Sequence, residues 1–286
     1  MMRSLLFVPA NSWRLLLSSV RSEADAIVLD LEDSVPIGEK ETARWFVKEF
    51  LREVRGGFRG KVFIRVNGIE TGLTDEDLKY VVERGVDGLV LPKATAEGLV
   101  KLISMVKPLE SSELRLPVIP LLETARGVLE AKEIVSLPRV QALAFGMGDY
   151  LRELGLDVNV SDQEWEILFA RSMVSTSAAM GNVPAIDTPF LGLIIDREGV
   201  RRQSLIARRL GFSGKFAIHP SHVPVINEVF TPSEKEVEEA KEIVRAYEEA
   251  VRRGLGATSL RGMMIDRMNY ERAKRLLREV GELDGG

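Results

Sequence analysis

The stretch VIPLLETARG, residues 118–127, holds the pattern on which the predicted fold depends. An apolar run suited to a buried strand ends abruptly at Glu123, a carboxylate placed where apolar packing stops. Short runs rich in Val, Ile, Leu and Phe recur along the chain, separated by amphipathic stretches of helix length. This alternation is typical of parallel strands joined by crossover helices, so we predict an α/β fold.

The number of such runs favours one α/β architecture. They lie at residues 5–8, 26–31, 62–66, 88–91, 118–122, 142–146, 185–188 and 216–218. Eight strand–helix units in about 230 residues approach the usual size of a (β/α)8 TIM barrel, about 250 residues. We therefore predict a TIM barrel, with an open doubly wound sheet as the alternative.

The pattern changes after the eighth run, which predicts a TIM barrel over residues 1–231 and a C-terminal helical extension over residues 232–286. Ser233 and Glu236 form a capping-box pattern at the start of a long amphipathic helix, and Gly254 ends it. A glycine-rich hinge, GLGATSLRG, then leads into a short strand-like element and a final helix. We expect this extension to be a lid, or an arm that reaches a neighbouring subunit.

Composition excludes several classes of function. The net charge is only -4, from 39 basic and 43 acidic residues, so no global field attracts nucleic acid or an anionic membrane. The absence of cysteine excludes disulfides, thiolate nucleophiles and Cys-ligated zinc, and two histidines are too few for a His-rich metal site. A hard metal bound by oxygen is still compatible. Because neither a signal peptide nor a membrane span is apparent, we expect a cytoplasmic protein.

Polar residues follow most of the predicted strands. In a TIM barrel the catalytic groups lie at the C-terminal ends of the strands, in one common mouth. Each polar residue alone could simply cap the next helix, but together they predict an active site. The set consists of Asp30, Glu32, Asp33, Arg65, Asn67, Lys93, Glu123, Asp149, Asp187 and His219.

Two of these acids, Glu123 and Asp149, follow neighbouring strands and could share a divalent ion. Mg²⁺ typically takes one or two protein carboxylates and leaves its other positions to water and substrate. Gly146 and Gly148 allow the backbone before Asp149 to approach a ligand closely. Arg65 offers a planar fork for a substrate carboxylate. A metal and a carboxylate clamp together indicate a site for a 2-keto or 2-hydroxy acid.

The same residues belong to an ordered set of motifs that covers nearly the whole chain. The chain resembles the citrate lyase β-subunit group, with its malyl-CoA and citramalyl-CoA lyases, within the HpcH/HpaI aldolase-like superfamily. The motifs are RSLLFVPA, ADAIVLDLEDSV with Lys40 and Arg44 after it, FIRVNG, GLVLPKA, PLLETARGV, FGMGDY, AIDTPF, FAIHPSHVPVINEVFTPSEKEV and GMMID.

This resemblance implies a site built on Mg²⁺, with Mn²⁺ as the alternative metal. Glu123 and Asp149 fall on its metal-ligand positions, and Arg65 falls on the position that grips the carboxylate of the keto acid. Together with Gly148 these residues form the expected substrate-binding set. The implied reaction is a reversible Claisen-type cleavage of a 3-hydroxyacyl-CoA thioester, such as citryl-CoA, malyl-CoA or citramalyl-CoA, to acetyl-CoA and a keto acid.

The resemblance also assigns roles beyond the metal ligands. Glu32 and Asp33 fall where the family orders metal-bound waters, and Asp266 matches a lid aspartate that handles the proton on the acetyl carbon. In malyl-CoA lyase-like members that aspartate enters the active site of an adjacent subunit, so a homotrimer or a hexamer is expected. Arg261 departs from the family pattern, in which an acidic residue is common.

Several alternatives stay open at this level. The chain could instead act as a citrate lyase β-subunit on an acyl-carrier-protein thioester within a multi-subunit complex, or as a metal-dependent 2-keto acid aldolase. Lys93 could form a Schiff base in a metal-independent aldolase. His219 could be a general base, although a structural hydrogen bond is the favoured interpretation. A non-catalytic scaffold is disfavoured because every expected catalytic position is occupied.

Overall fold

A closed barrel of eight parallel strands forms the centre of the computed structural model, which describes residues 2–158, 161 and 163–283. Each strand pairs with the next along the chain, and β8 closes the barrel on β1 with Lys215 opposite Ser4. The prediction of a TIM barrel is confirmed, and the open doubly wound sheet is wrong. The strands are β1 Ser4–Pro9, β2 Ala26–Asp30, β3 Lys61–Arg65, β4 Gly88–Leu91, β5 Val118–Leu122, β6 Leu143–Phe145, β7 Ala185–Asp187 and β8 Gly214–Ala217.

Helices connect successive strands. In the Met2–Phe230 unit these are α1 Trp13–Ser19, α2 Lys40–Glu49, α3 Thr74–Val81, α4 Ala96–Val106, α5 Ala125–Leu129, α6 Ala131–Val135, α7 Met147–Glu153, α8 Trp165–Met180, α9 Arg197–Arg209 and α10 Val223–Phe230. Among the residues that the structure describes, no helix has both the length and the apolar character needed to cross a membrane.

Strand alternation divides the core into two layers. Residues such as Val28, Phe63, Ile186 and Phe216 fill the interior of the barrel, whereas their neighbours along each strand pack against the helices outside. Successive side chains of a strand point to opposite faces, so the layer of any strand residue follows from that of its neighbour. The same rule decides which polar residues at the strand ends face the mouth.

The residues after Glu123 start the next helix. The Thr124 hydroxyl accepts a hydrogen bond from the Gly127 amide at 3.0 Å and so caps the first turn of α5. A Cβ on Gly127 would lie 2.5 Å from the Ala94 carbonyl oxygen, so this turn packs closely against the loop after β4. The end of β5, the mouth residue Glu123, the cap Thr124 and the first turn of α5 thus follow one another directly along the chain.

The segment from Thr231 onward forms a second compact unit. It contains α11 Glu234–Arg252, the antiparallel strands β9 Thr258–Leu260 and β10 Met263–Ile265, and α12 Arg267–Glu279. The predicted capping box of Ser233 and Glu236 is confirmed. Arg261 and Gly262, both with positive φ, make the turn between the strands, and Arg261 pairs with Glu242 at 2.7 Å. Ala240, Val244, Ala273 and Leu277 form the core of the unit.

Candidate active site

The mouth of the barrel holds a cavity of about 180 Å³ at the C-terminal ends of the strands. It brings together five of the residues that the sequence predicted for the site, which are Asp33, Arg65, Glu123, Gly148 and Asp149. Its remaining lining consists of Phe7, Leu121, Gly146, Met147, Thr188, Pro189, Leu191 and Phe216. A small, partly apolar cavity with several convergent charges is the form expected of a small-molecule site.

Arg65 is anchored inside this mouth by Asp30. Its Nε and Nη2 each lie 2.6 Å from an oxygen of the Asp30 carboxylate, Nη1 lies 3.1 Å from Glu32, and the guanidinium carbon lies 4.8 Å from the centre of the Phe7 ring. Although burial opposes ionisation, Arg65 lowers the pKa of Asp30. Three of the five N–H donors of Arg65 are thus engaged, which leaves one on each terminal nitrogen for a substrate carboxylate.

Glu123 is almost completely buried, with 6% of its surface exposed. Its Oε1 accepts a hydrogen bond from the Lys93 amide at 2.8 Å. Burial raises the pKa of Glu123 to about 8, although the positive charges of Arg65 and Lys93 oppose this. A Cβ on Gly146 would lie 2.8 Å from Oε2 of Glu123, so the glycine makes room for the carboxylate. Glu123 is therefore a desolvated acid whose second oxygen lies against the loop that carries Asp149.

Lys93 lies between two carboxylates of the mouth. Its Nζ is 2.6 Å from Glu32 and 3.0 Å from Asp149. Burial alone would lower its pKa, but the hydrogen bond to Glu32 and the Asp149 carboxylate raise it above the ordinary value. The residue has a φ of 47°, a left-handed conformation that is strained for lysine and recurs at functional sites. A Schiff base requires the neutral amine, so this environment disfavours the Schiff-base alternative.

Asp149 lies in the first turn of α7 and has two different oxygens. Oδ1 pairs with the exposed Arg152 at 2.8 Å. Oδ2 is buried and forms no hydrogen bond of regular geometry, although Lys93 Nζ lies 3.0 Å away. Among the described residues no three acidic or histidine side chains are arranged to hold a metal by themselves. The hard oxygens of Glu123 and Asp149 nevertheless fit Mg²⁺, which takes one or two carboxylates and completes its shell with water and substrate.

Glu32 and Asp33 differ in their surroundings. Glu32 is buried between Arg65 and Lys93, whereas the Asp33 side chain is 61% exposed at the rim of the cavity. Burial raises the pKa of Glu32, against the effect of these two cations. Lys40 Nζ donates to the carbonyl oxygens of Leu31 and Glu32 at 2.6 and 2.8 Å and so fixes the turn that carries both acids.

Two of the polar residues expected in the mouth have partners elsewhere. Asp187 points outward from β7 and pairs with Arg171 and Lys215, so its placement in the mouth is wrong. The placement of Asn67 in the mouth is also wrong, since its backbone amide and its side-chain amide both donate to Asp77 of α3 at 2.7 Å.

His219 starts the short 3-10 turn Pro220–His222. Its Nδ1 lies 2.7 Å from the Ser221 hydroxyl and accepts a hydrogen bond from the Ser221 amide at 3.2 Å. His219 therefore forms a local hydrogen bond with Ser221, in agreement with the favoured interpretation of a structural role.

Asp266 lies in the C-terminal unit, at the N-terminus of α12. Its Oδ1 accepts from the amides of Met268 and Asn269 at 2.9 and 3.2 Å, and the Asn269 side chain accepts from the Asp266 amide. This is a reciprocal capping arrangement, so the aspartate has a local structural role that the sequence did not predict. A variant that tests its chemistry must keep the cap.

The sequence analysis assigned no role to Phe7, and it identified no partner for Asp30. Phe7 lies two residues after the inward-facing Leu5, and Asp30 two residues after the inward-facing Val28. Alternation therefore directs both side chains into the barrel, and the register places Asp30 directly opposite Arg65. The signal was present in the spacing of the strand residues.

Comparisons with known proteins identify the family of this chain. The family model described as HpcH/HpaI aldolase/citrate lyase matches residues 3–220. The citrate lyase subunit beta of Leuconostoc mesenteroides subsp. cremoris is 34% identical over 283 residues, covering 96% of this chain and 92% of the relative. The (3S)-malyl-CoA thioesterase of Cereibacter sphaeroides is 31% identical over 276 residues, covering 96% of this chain and 93% of the relative.

A solved structure agrees over nearly the full length. The crystal structure of protein CitE from Mycobacterium tuberculosis, in complex with magnesium, acetoacetate and coenzyme A, matches with a TM-score of 0.81 at 26% identity and covers 98% of each chain. The resemblance drawn from the motifs is confirmed, and this chain belongs to the HpcH/HpaI aldolase/citrate lyase family of lyases.

Proposed function

We propose that this chain is a Mg²⁺-dependent carbon–carbon lyase that cleaves a 3-hydroxyacyl-CoA thioester reversibly to acetyl-CoA and a keto acid. The observation that carries the proposal is the mouth cavity, where two carboxylates that follow neighbouring strands line the same space as an arginine with two N–H donors not bonded to Asp30 or Glu32. Citryl-CoA, malyl-CoA and citramalyl-CoA are the substrates to test. The CitE structure with magnesium, acetoacetate and coenzyme A supports this class of ligand.

Each side chain of the mouth has a task in this reaction. Arg65 would bind the carboxylate of the keto-acid portion through its two remaining N–H groups, while Asp30 and Phe7 keep the guanidinium in place. Glu123 and Asp149 would hold Mg²⁺, and the bound metal would supply a Lewis acid for the oxygen that becomes the keto group. Binding the metal requires Glu123 to lose the proton that burial favours.

Lys93 and Glu32 complete the charge balance of the mouth. The Lys93 ammonium bridges Glu32 and Asp149, so it fixes the direction of both carboxylates. We propose that Glu32 and Asp33 order the waters next to the metal, as the family resemblance implies. The buried position of Glu32 fits a fixed hydrogen-bond acceptor, and the exposed Asp33 lies where solvent enters the cavity.

We assign the proton on the acetyl carbon to Asp266. In cleavage the substrate hydroxyl would lose its proton to water in the mouth as its oxygen becomes the keto group, and the electrons of the broken carbon–carbon bond would form the enolate of the thioester. Asp266 would protonate this enolate, and in condensation the same group would remove the proton. We propose that residues 232–286 act as a lid shared between subunits of a homotrimer or hexamer. Asp266 lies in a turn between a strand and a helix, a rigid setting for a proton-transferring group.

A second candidate differs only in the carrier of the acyl group. The similarity to a citrate lyase subunit beta favours a β-subunit that acts on an acyl-carrier-protein thioester within a complex. The carboxylate clamp and the metal ligands would serve both substrates equally, because they contact the keto-acid portion rather than the carrier. A metal-dependent 2-keto acid aldolase would use the same mouth without a thioester.

The test is condensation of acetyl-CoA with glyoxylate, pyruvate or oxaloacetate by the purified protein, with and without Mg²⁺. Glu123→Gln and Asp149→Asn are expected to abolish turnover. The matched control is Glu110→Gln, which changes a half-buried glutamate that pairs with Arg139 rather than lining the cavity. Separate detection of free CoA and acetyl-CoA distinguishes thioester hydrolysis from carbon–carbon cleavage.

The outcomes separate the candidates. Metal-dependent turnover with one keto acid, lost in both site variants and kept in Glu110→Gln, would support the lyase and name its substrate. No turnover with free CoA esters, but turnover with the same acyl groups on an acyl carrier protein, would support the citrate lyase subunit. Turnover that survives EDTA or both site variants would contradict the proposed metal site.

A further inference from the structure

A cluster of four charged side chains is buried on the outer side of β7 and β8. Lys215 Nζ lies 2.6 Å from Asp187, Arg171 of α8 forms two hydrogen bonds to the same carboxylate at 2.8 and 2.9 Å, and Arg171 also pairs with Glu164. Gln203 of α9 donates to Glu164 at 2.8 Å. We call Glu164, Arg171, Asp187 and Lys215 the buried ion cluster. Its members are at most 5% exposed.

The buried ion cluster is connected to the mouth through Thr188. Lys215 Nζ also donates to the Thr188 carbonyl oxygen at 2.5 Å. The Thr188 hydroxyl, which is fully buried, accepts a hydrogen bond from the Met147 amide at 2.9 Å. Met147 is the first residue of α7, and Asp149 follows two positions later in the same turn. The chain of contacts therefore runs from the cluster to the helix turn that carries Asp149.

The start of α7 needs such an acceptor from elsewhere. The first amides of a helix have no partner within it and are usually capped by the preceding side chain. Gly146 occupies that position and has no side chain with which to cap. A larger residue does not fit there, because its Cβ would collide with Glu123. The space that Glu123 requires thus removes the local cap, and Thr188, which follows β7, instead supplies an acceptor for the first amide of the helix, that of Met147.

A buried ion cluster of this kind adds little net stability. Removing charges from water costs more than their mutual attraction returns in many proteins, and apolar residues of similar size often serve as well. What the cluster does provide is a fixed direction for each of its hydrogen bonds. Here one of these bonds is made to the backbone of Thr188, at the point where β7 enters the mouth.

We propose that Thr188 is a positioning residue for the reaction: its hydroxyl fixes the first turn of α7 and thereby Asp149, while the buried ion cluster fixes Thr188. This inference rests on the proposed function, since it gives Asp149 a task at the metal. Thr188 acts through Asp149, so its removal changes metal affinity rather than the chemistry of the reacting atoms.

The experiment compares Thr188→Val, which has the same shape without a hydroxyl, with Thr188→Ser, which keeps the hydroxyl. Ser204→Ala is the matched control, because Ser204 is equally buried and its hydroxyl donates to the Val200 carbonyl oxygen within α9. The measurements are the Kd for Mn²⁺ by paramagnetic resonance and hydrogen exchange of the amides at residues 147–149. Both are made on the full chain and neither depends on turnover.

We expect Thr188→Val to raise the Mn²⁺ Kd by about 10- to 100-fold, the usual effect of losing a group that orients a metal ligand. Exchange at residues 147–149 should accelerate in the same variant, Thr188→Ser should restore both properties, and Ser204→Ala should leave both unchanged. Wild-type affinity in Thr188→Val, or an equal loss in Ser204→Ala, would overturn the inference. A wild-type chain that binds no Mn²⁺ would contradict the proposed metal site itself, and the positioning role with it.

Discussion

The buried carboxyl of Glu123 leads to a prediction about stability in the metal-free protein. Glu123→Gln replaces the acid by an amide of the same shape that cannot ionise. Burial raises the pKa of Glu123 from its ordinary value of 4.5 to about 8. The folded state therefore holds a proton that the unfolded state has already released at neutral pH. Stability from this proton is fully present below pH 4.5 and is lost as pH rises towards 8.

The expected magnitude follows from this difference in proton binding. Between pH 6 and pH 8 the folded chain carries about one proton more than the unfolded chain at this site, and each pH unit then changes stability by about 1.4 kcal/mol. Wild type should lose about 3 kcal/mol between pH 6 and pH 9 relative to Glu123→Gln. The amide variant should thus gain relative stability as the buffer becomes more alkaline.

Urea denaturation in EDTA at pH 6, 7.5 and 9 measures this difference. Glu110→Gln is the control, since the hydrogen bonds from Arg139 outweigh burial and hold the pKa of Glu110 below its ordinary value. Glu110 is then ionised in both states throughout this range, and its replacement should shift stability by the same amount at each pH. A constant difference between wild type and Glu123→Gln would refute the raised pKa.

Three further predictions concern other side chains of the proposed mechanism. Arg65→Lys should raise the KM for the keto acid by about 10- to 100-fold, because an ammonium cannot reproduce the two parallel hydrogen bonds; an unchanged KM in steady-state assays would contradict the clamp. Borohydride treatment in the presence of substrate should leave the protein mass unchanged, since Lys93 is held protonated by two carboxylates; a trapped adduct in the mass spectrum would restore the Schiff-base alternative. Asp266→Ala should lower the free energy of unfolding by about 1 kcal/mol through loss of the helix cap, while Asp266→Asn retains the cap but loses turnover. A fully active Asp266→Asn would rule out the proton-transfer role.

The barrel could be predicted because its signals are local. Each buried strand appears as a short apolar run, and a helix between two strands can begin at a capping residue such as Thr124. The order of eight such units then leaves few topologies, since parallel neighbours require crossover helices. Closure of β8 on β1 is not a local signal, but it follows from the number of units.

The site was predicted less completely, because a side chain's direction depends on strand register. Asp30 and Asp187 both end a strand with a carboxylate, yet Asp30 follows the inward-facing set and Asp187 lies between inward-facing positions. One therefore faces Arg65 in the mouth, and the other faces Arg171 outside the barrel. The conformation of Lys93 could not be foreseen either, since a positive φ at lysine has no sequence signal.

The buried ion cluster has a consequence for the order of folding. Its members come from the segment before α8, from α8 itself, from β7 and from β8, and β8 also pairs with β1 at the opposite end of the barrel sequence. Such long-range closure is slow, because chain entropy is lost before the contacts form. A partly folded chain that buries Glu164, Arg171 and Asp187 without Lys215 leaves one uncompensated negative charge in an apolar layer, which is strongly unfavourable. Docking of β8 should therefore be cooperative with the burial of α8, so that barrels open between β8 and β1 are poorly populated.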